Sequence, residues 1–289
     1  MNFTKPYQIN LIAGNKTTRG PGKVYQNLSK GLSLLGHKVN KPIVGEPDLN
    51  ICLQMMPGIE SLDPSKTLFG PNLVVLPSEA PALFSDPSRH FLVPSKWVKD
   101  LYCQFDFVHP DNLHVWAVGI DIENWRSINK VYMQDCFIYF KNRSQEDLHI
   151  VKLLMKKMNM KYSVIEYGQY TEQELKEACR KSKFAVLLTG TESQGIAYME
   201  ILSTNTPCYV FNKTYWKTEN GNHNCPATSV PYFDDGFCGR VSPDHVSIDH
   251  FSEFVNSLST FVPSFWVGIY SLEHAADDIL EIAKNANLV

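Results

Sequence analysis

The sequence has 289 residues, a length that suggests two compact domains at roughly 100 to 200 residues each. Hydrophobic residues make up 44% and charged residues 20%, which excludes a disordered chain. The net charge of −3 argues against a nucleic-acid partner bound through bulk positive charge.

The N-terminus and the cysteines indicate a cytoplasmic protein. No charged-then-apolar layout typical of a secretory signal opens the chain, and no apolar run reaches the roughly 18 residues of a membrane-spanning helix. The seven cysteines form no Cys-x-x-Cys pair, so we expect free thiols and no metal site. Contact with a membrane surface stays open as an alternative.

The first half of the chain predicts a strand at 7–13, a glycine-rich segment and then a helix. The helix is indicated by apolar residues at three- and four-residue spacing, from Val24 to Leu35, with Gly36 placed to end it. A second helix is expected from Ser95. Further apolar runs predict strands at 49–53, 72–76, 90–93 and 113–118.

A polar stretch at 123–134 is interpreted as a linker, after which the pattern restarts. Thr171 and Glu174 have the form of a capping box that opens a helix. The predicted strands of this half are 137–140, 162–166, 184–188 and 208–211. The other predicted helices are 148–158, 195–204 and a closing helix at 266–286.

Strands that alternate with helices predict parallel sheets covered on both faces. Two such runs therefore predict an α/β protein of two Rossmann-like domains that face a cleft. The expected boundaries are 1–128 for the N-terminal domain, 129–265 for the C-terminal domain and 266–289 for the closing helix.

Two familiar phosphate-binding loops are absent from the glycine-rich segment. Lys23 is followed by Val24, which breaks the Walker pattern, and Tyr25 stands where a dinucleotide fingerprint needs its third glycine. An ATPase or a dehydrogenase is therefore not supported. Gly20 and Gly22 either let the backbone approach a ligand at a helix N-terminus or form a plain tight turn.

Glu192 and Glu200 are distinguished by their context rather than by their spacing. Glu192 follows the predicted strand 184–188, at the edge where ligands bind in open α/β sheets. Gly195 begins a helix, and Glu200 can reach back toward its N-terminus because helical side chains lean that way. A helix N-terminus attracts a diphosphate, whereas a carboxylate beside it would repel one. Two carboxylates that flank a helix N-terminus are therefore suited to neutral hydroxyl groups on either side of the diphosphate. A nucleotide sugar has this layout, with ribose on one side and a hexose on the other.

The segment that contains Glu192-Ser193-Gln194-Gly195, Glu200 and Asn205-Thr206-Pro207 resembles the Glu-x7-Glu signature of retaining glycosyltransferases of family four. Members of that family have the GT-B fold. The order of the other similar segments agrees with that family. They are Arg19-Gly20-Pro21-Gly22-Lys23-Val24, Leu35-Gly36-His37-Lys38-Val39, Val93-Pro94-Ser95-Lys96-Trp97, Val118-Gly119-Ile120-Asp121 and Tyr167-Gly168-Gln169-Tyr170.

The resemblance implies a role for each matching residue. Glu192 would bind hydroxyls of the donor sugar and Glu200 the ribose, while Gly195 and Ile196 would offer backbone N–H groups to the diphosphate. Lys141 and Arg143 would bind phosphate, although they are closer together than in the family and in reverse order. The remaining residues assigned to the site are Ser193, Gln194, Gly168 and Tyr170 for the donor, and Gly20 and Gly22 in an N-domain loop.

The resemblance implies a glycosyltransferase that works with retention and without metal. Its donor would be a UDP- or GDP-linked sugar, needed as a co-substrate with no cofactor, and its acceptor a saccharide, lipid or protein. No Asp-x-Asp motif is present, which disfavours a metal-dependent transferase. Two alternatives remain open: a non-catalytic nucleotide-sugar-binding protein, and a nucleotide-sugar epimerase of the same fold.

Overall fold

The computed structural model describes residues 6–14, 19–40, 46–126, 129–218, 221–243 and 246–289. Its internal contacts divide the chain into two compact units. Unit 1 comprises Met1–Ile120 and Tyr270–Val289, and unit 2 comprises Asp121–Ile269. The expected boundaries, after residues 128 and 265, lie eight residues after Ile120 and four residues before Ile269. The segment expected as a separate closing helix belongs to unit 1 from Tyr270 onward.

The strands of the described residues form one sheet in each unit and a small hairpin. They are β1 (Gln8–Ile12), β2 (Lys38–Val39), β3 (Leu49–Gln54), β4 (Thr67–Asn72), β5 (His90–Val93), β6 (Leu113–Val115), β7 (Gln134–Lys141), β8 (Tyr162–Glu166), β9 (Ser182–Thr189), β10 (Cys208–Val210), β11 (Tyr215–Lys217), β12 (Asn224–Pro226) and β13 (Gly239–Val241).

The α-helices of the described residues connect these strands. They are α1 (Arg19–Leu34), α2 (Pro81–Phe84), α3 (Lys96–Tyr102), α4 (Ile122–Arg126), α5 (Gln145–Lys157), α6 (Glu172–Lys181), α7 (Ile196–Ser203), α8 (Ile248–Asn256), α9 (Pro263–Val267) and α10 (Leu272–Asn285). No helix within the described ranges combines the length and the apolar character needed to cross a membrane.

Unit 1 contains a six-stranded parallel sheet in the order β2-β1-β3-β4-β5-β6. Helix α1 buries the predicted apolar stripe, with Val24, Leu28 and Leu32 at most 2% exposed. Gly36 adopts a left-handed conformation, with φ of 87°, just after the helix ends. The helix, its apolar face and its terminating glycine are therefore confirmed.

One predicted strand of unit 1 is wrong. Strand β4 ends at Asn72, where the predicted strand 72–76 begins, and Val75 in that run is 63% exposed. The true strand contains Gly70 and Pro71, which are residues that normally interrupt strands. The apolar run that follows was more conspicuous in the sequence than the strand itself.

Unit 2 contains a five-stranded parallel sheet in the order β13-β10-β9-β7-β8. Strand β7 lies inside the sheet, between β9 and β8, and its side chains pack against α5 and α8 in an apolar core. The predicted capping box is confirmed, since Thr171 Oγ1 accepts from the Glu174 N–H at 3.2 Å and the Glu174 carboxylate accepts from the Thr171 N–H at 2.7 Å. The two sheets confirm the predicted α/β fold of two Rossmann-like domains.

Within the stretch interpreted as a polar linker, 123–134, residues 129–133 form no helix or strand, but residues 123–126 belong to helix α4. The interpretation is therefore wrong for 123–126. Trp125 of α4 is only 1% exposed, with the Lys176 ammonium 5.0 Å from the ring centre. Further on, Lys130 donates to the carbonyl of Cys179 at 2.9 Å. A single tryptophan among polar residues gives no periodic pattern, so the sequence did not indicate this anchor.

Candidate functional site

The residues predicted for the C-terminal domain follow three adjacent strands of unit 2. Strand β7 ends at Lys141, β8 at Glu166 and β9 at Thr189, and the sheet order is β9-β7-β8. Because these strands are parallel, their carboxyl ends lie at one edge of the sheet, where ligands bind in open α/β folds. The structure therefore places the predicted residues around this edge, which we call the carboxyl edge of unit 2.

Lys141 and Glu192 form an ion pair at this edge. The Lys141 Nζ lies 2.8 Å from one Glu192 carboxylate oxygen and 2.9 Å from the other, and the two side chains are only 17% and 13% exposed. The ammonium also lies 4.4 Å from the centre of the Tyr167 ring. Burial raises the pKa of Glu192, and the charge of Lys141 and its hydrogen bond oppose that rise.

Backbone contacts fix the loops that carry this pair. The Gly190 N–H donates to the Lys141 carbonyl at 2.8 Å, and the Glu192 N–H donates to the Thr228 carbonyl at 2.9 Å. A side chain on Gly190 would place its Cβ 2.9 Å from the Asn142 carbonyl oxygen, so the two loops approach closely because this residue is glycine. The geometry of the ion pair is thus set by the strand ends.

Helix α7 begins beside this pair without a side-chain cap. Gly195, the residue before the helix, has φ of 70°, and a Cβ there would lie 1.9 Å from Tyr198 Cε1, so only glycine fits. No side-chain hydrogen bond caps the helix, and its first turn, which starts at Ile196, has no acidic residue. Unpaired N–H groups at such a helix start favour an anion.

Two polar side chains flank the start of α7. Ser193 is exposed, whereas Gln194 is only 7% exposed. The Gln194 amide nitrogen is buried and has no hydrogen-bond acceptor among the residues that the structure describes. A buried donor without an acceptor destabilises a folded protein by about 1–3 kcal/mol, so this amide is suited to a ligand oxygen.

Glu200 is 5% exposed on α7 and acts electrostatically on Tyr170, in the loop after β8. The Tyr170 hydroxyl lies 3.1 Å from the hydroxyl of Tyr139 on β7. Burial raises the pKa of Tyr170 to about 12, with the hydrogen bond from Tyr139 opposing the rise and Glu200 adding to it. Burial also raises the pKa of Tyr139, so both hydroxyls are protonated at neutral pH. Gly168, in the same loop, is exposed and has φ of 82°.

Arg143 lies near the edge, but its contacts are internal. Its guanidinium donates to the Asp147 carboxylate at 2.9 Å and to the carbonyls of Thr189 and Phe211 at 3.3 and 3.1 Å. These contacts hold together the chain ends after β9 and β10, and they lower the pKa of Asp147. Arg143 thus supports the edge, while Lys141 is the cation beside Glu192.

The two glycines predicted for an N-domain loop, Gly20 and Gly22, lie in unit 1 but inside the first turn of α1. Their assignment to a loop is therefore wrong, and they stand at a helix N-terminus. Helix α1 starts at Arg19 and continues through Pro21, since proline is well tolerated in a first helical turn. Residues 15–18, which precede this turn, lie outside the described residues.

Two residues at the edge were missed by sequence reasoning. In the sequence, Tyr139 resembles an ordinary buried strand residue, and its neighbours do not distinguish it from residues of the hydrophobic core. Thr189 ends β9 with a buried hydroxyl that has no partner within the described ranges. Its position at the end of the strand before Glu192 is the one signal that could have identified it. No group of three or more His, Cys, Asp or Glu residues suited to a metal ion occurs in the described part of the chain.

No protein-family profile and no curated protein sequence matches the chain. Solved structures do resemble it. A glycosyltransferase from Rickettsia africae has a TM-score of 0.66 at 11% identity, covering 98% of this chain and 99% of its own. The lipopolysaccharide outer core galactosyltransferase WaaB scores 0.58 at 12% identity, with 96% and 99% covered. HepE from Anabaena, solved with UDP and glucose, scores 0.54 at 9% identity, again with 96% and 99% covered. With its two parallel sheets, the chain therefore has the two-domain fold of the GT-B glycosyltransferases.

Proposed function

We propose that this protein is a glycosyltransferase that moves a sugar from a nucleoside-diphosphate sugar to a hydroxyl group of an acceptor. The observation that carries the proposal is the largely buried ion pair of Lys141 and Glu192 beside the uncapped start of α7. It combines a cation, backbone N–H groups and a carboxylate, which are the groups needed for a diphosphate and for sugar hydroxyls.

The diphosphate would bind at the start of α7. The N–H groups there, the Gln194 amide and the Lys141 ammonium are all hydrogen-bond donors, and no acid in the first turn opposes an anion. A diphosphate carries more charge than one carboxylate, so it would compete with Glu192 for Lys141. The same cation would then stabilise the charge that develops on the leaving diphosphate.

Glu192 and Glu200 would accept hydrogen bonds from hydroxyl groups of the donor. Once the diphosphate engages Lys141, the Glu192 carboxylate is available to hydroxyls of the donor sugar. Glu200, buried on α7 and near Tyr170, would take the ribose. Arg143 would act indirectly, since its three internal contacts hold the strand ends that carry the other residues.

In the proposed reaction, the bond between the sugar's anomeric carbon and the diphosphate oxygen breaks. The acceptor oxygen forms a bond to the same carbon, and the products are the glycoside, a nucleoside diphosphate and one proton. Retention of configuration is proposed from the resemblance of the segment 192–207 to the retaining family. Metal independence is proposed because Lys141 and helix N–H groups can meet the charge. The Anabaena neighbour, solved with UDP and glucose, supports a nucleotide-sugar donor.

Titration calorimetry and donor turnover test the proposal together. We expect the protein to bind UDP or GDP, and to hydrolyse slowly the matching nucleotide sugar when no acceptor is present. Glu200→Gln should weaken nucleotide affinity by roughly 10-fold, the value of one hydrogen bond to a charged group. Glu174→Gln is the matched control, since Glu174 caps α6 and should leave affinity unchanged.

The outcomes separate the proposed enzyme from its rivals. Binding with no turnover under any condition would favour a non-catalytic binding protein. Conversion of the donor into an isomeric nucleotide sugar, with no nucleoside diphosphate released, would favour an epimerase. Turnover that is lost in EDTA and restored by manganese or magnesium would contradict metal independence.

A further inference from the structure

Two tyrosine hydroxyls at the carboxyl edge of unit 2 share a single hydrogen bond. The Tyr139 and Tyr170 oxygens lie 3.1 Å apart, and neither hydroxyl has another partner within the described part of the chain. Each hydroxyl carries one proton. The shared bond uses one of the two protons, so the other has no acceptor on this part of the protein.

Burial decides which proton enters the shared bond. Tyr139 is 1% exposed within β7, whereas Tyr170 is partly exposed in the loop after β8. A buried hydroxyl that fails to donate costs about 1–3 kcal/mol, and an exposed one can donate to water. Tyr139 therefore donates to Tyr170, and the Tyr170 O–H is directed away from the core as a donor.

The sheet order shows which part of a ligand this donor would meet. Strand β8 is two positions from β9, which leads into α7, and two strand spacings amount to about 10 Å. If the diphosphate lies at the start of α7, the loop after β8 would therefore contact a group at one end of the ligand. The negative charge of Glu200 acts on Tyr170, which favours a neutral polar group there over a further phosphate.

We propose that Tyr139 holds the Tyr170 hydroxyl as a donor to a carbonyl oxygen of the nucleotide base, and that this pair selects uracil or guanine over adenine. Uracil and guanine present a carbonyl oxygen where adenine presents an amino group. The Tyr170 O–H and the adenine amino group are both donors, so neither would find an acceptor in the other. Tyr170 is then a specificity-determining residue and Tyr139 a positioning residue. The inference rests on the proposed function, because it requires a nucleoside diphosphate at this edge.

Calorimetry with UDP, GDP and ADP, on the wild type and on two phenylalanine variants, tests the inference. We expect the wild type to bind UDP or GDP at least 10-fold more tightly than ADP. Tyr170→Phe should weaken binding of the tighter nucleotide about 10-fold, the value of one lost hydrogen bond. The affinity for ADP should stay within twofold of the wild type. Tyr139→Phe should change the ratio in the same direction by a smaller factor, since Tyr170 keeps its proton but loses its fixed direction.

Tyr209→Phe is the matched control. The Tyr209 hydroxyl bonds to His250 Nδ1 at 2.9 Å in the same unit, and its loss should leave the nucleotide ratios unchanged. Equal weakening of all three nucleotides by Tyr170→Phe, or an unchanged ratio in Tyr139→Phe, would overturn this inference alone. Failure of the wild type to bind any of the three would overturn the proposed function and this inference with it.

Discussion

At the scale of single residues, Lys141 opposes the rise that burial causes in the pKa of the Glu192 carboxyl. Lys141→Met removes that cation, so the pKa of Glu192 should rise further. A raised folded-state pKa means that the folded protein holds a proton which the unfolded chain has released, and stability then falls as pH rises. We expect the unfolding free energy of Lys141→Met, relative to the wild type, to fall by about 2 kcal/mol between pH 5 and pH 8 in urea denaturation.

The double variant Lys141→Met with Glu192→Gln is the control for this effect. It has no ionisable group at either position, so the extra dependence on pH should disappear. A single variant whose stability, relative to the wild type, is the same at both pH values would contradict this effect of Lys141 on Glu192.

Gly195 is the second residue whose substitution has a definite expected result. Alanine there would force a left-handed conformation on a residue with a Cβ and drive that Cβ into the Tyr198 ring. We expect Gly195→Ala to lower the unfolding free energy by at least about 2 kcal/mol. Gly268→Ala, in the same unit but with αR geometry and no atom within 4 Å of its Cβ, should change it by less than about 0.5 kcal/mol. Equal stability of the two variants in thermal or urea unfolding would contradict this account.

The sequence identified both cations after β7 but not their different contacts. Asn142 stands between them in a left-handed conformation, with φ of 53°, and changes the direction of the chain. Lys141 therefore meets Glu192, whereas Arg143 turns to carbonyls inside the unit. The sequence Lys141-Asn142-Arg143 alone does not show that the two cationic side chains take different directions. Both residues were therefore assigned to the diphosphate.

At the scale of secondary-structure elements, two neighbouring strands of unit 1 bring together a pair of histidines. His90 Nδ1 of β5 lies 3.0 Å from His114 Nε2 of β6, and the rings stack. Burial, His90 and Lys99 lower the pKa of His114 to about 4. A histidine with a lowered folded-state pKa destabilises the protein as pH falls from about 6.5 toward 4, because the unfolded chain binds more protons.

We therefore expect His114→Gln to reduce the loss of stability between pH 7 and pH 4.5, by on the order of 1 kcal/mol after allowance for solvent screening. Urea denaturation at the two pH values measures the difference. His149→Gln is the control, since His149 is exposed on α5 and lies outside the pair, and this variant should keep the acid sensitivity of the wild type. The same acid sensitivity in His114→Gln and in the wild type would show that the pair contributes nothing to it.

Elements were predictable where a short apolar run is bounded by ordinary turn residues. Strand β8 was placed at 162–166 and strand β5 at 90–93, which are the observed limits. Prediction failed where a strand contains Gly-Pro, as in β4, and where one buried tryptophan anchors a short polar helix, as in α4. Strands β11 to β13, of three residues each, are too short for an alternating pattern to show in the sequence. Helix α8 was not predicted, although apolar residues recur at helical spacing from Ile248 to Val255.

At the scale of the whole molecule, unit 1 is assembled from two distant parts of the chain. Helix α10, near the C-terminus, packs against α1, and the Trp116 indole donates to the Ala275 carbonyl at 2.8 Å. The close approach depends on glycine, because a Cβ on Gly31 would lie 2.3 Å from the Leu272 carbonyl oxygen. The final 20 residues thus complete the N-terminal unit, although the sequence suggested a separate closing helix.

This division gives a prediction that separates stability from donor binding. Gly31→Ala should push α1 and α10 apart and lower the stability of unit 1 by at least about 2 kcal/mol, measured by urea unfolding. Gly20→Ala in the same helix, with no atom within 4 Å of its Cβ, should not destabilise the protein and serves as the control. All residues that we propose for the nucleotide lie in Asp121–Ile269, so folded Gly31→Ala should bind UDP with an affinity within twofold of the wild type. If the folded variant loses UDP binding, essential nucleotide contacts lie in unit 1, and the assignment of the donor to the carboxyl edge of unit 2 is wrong.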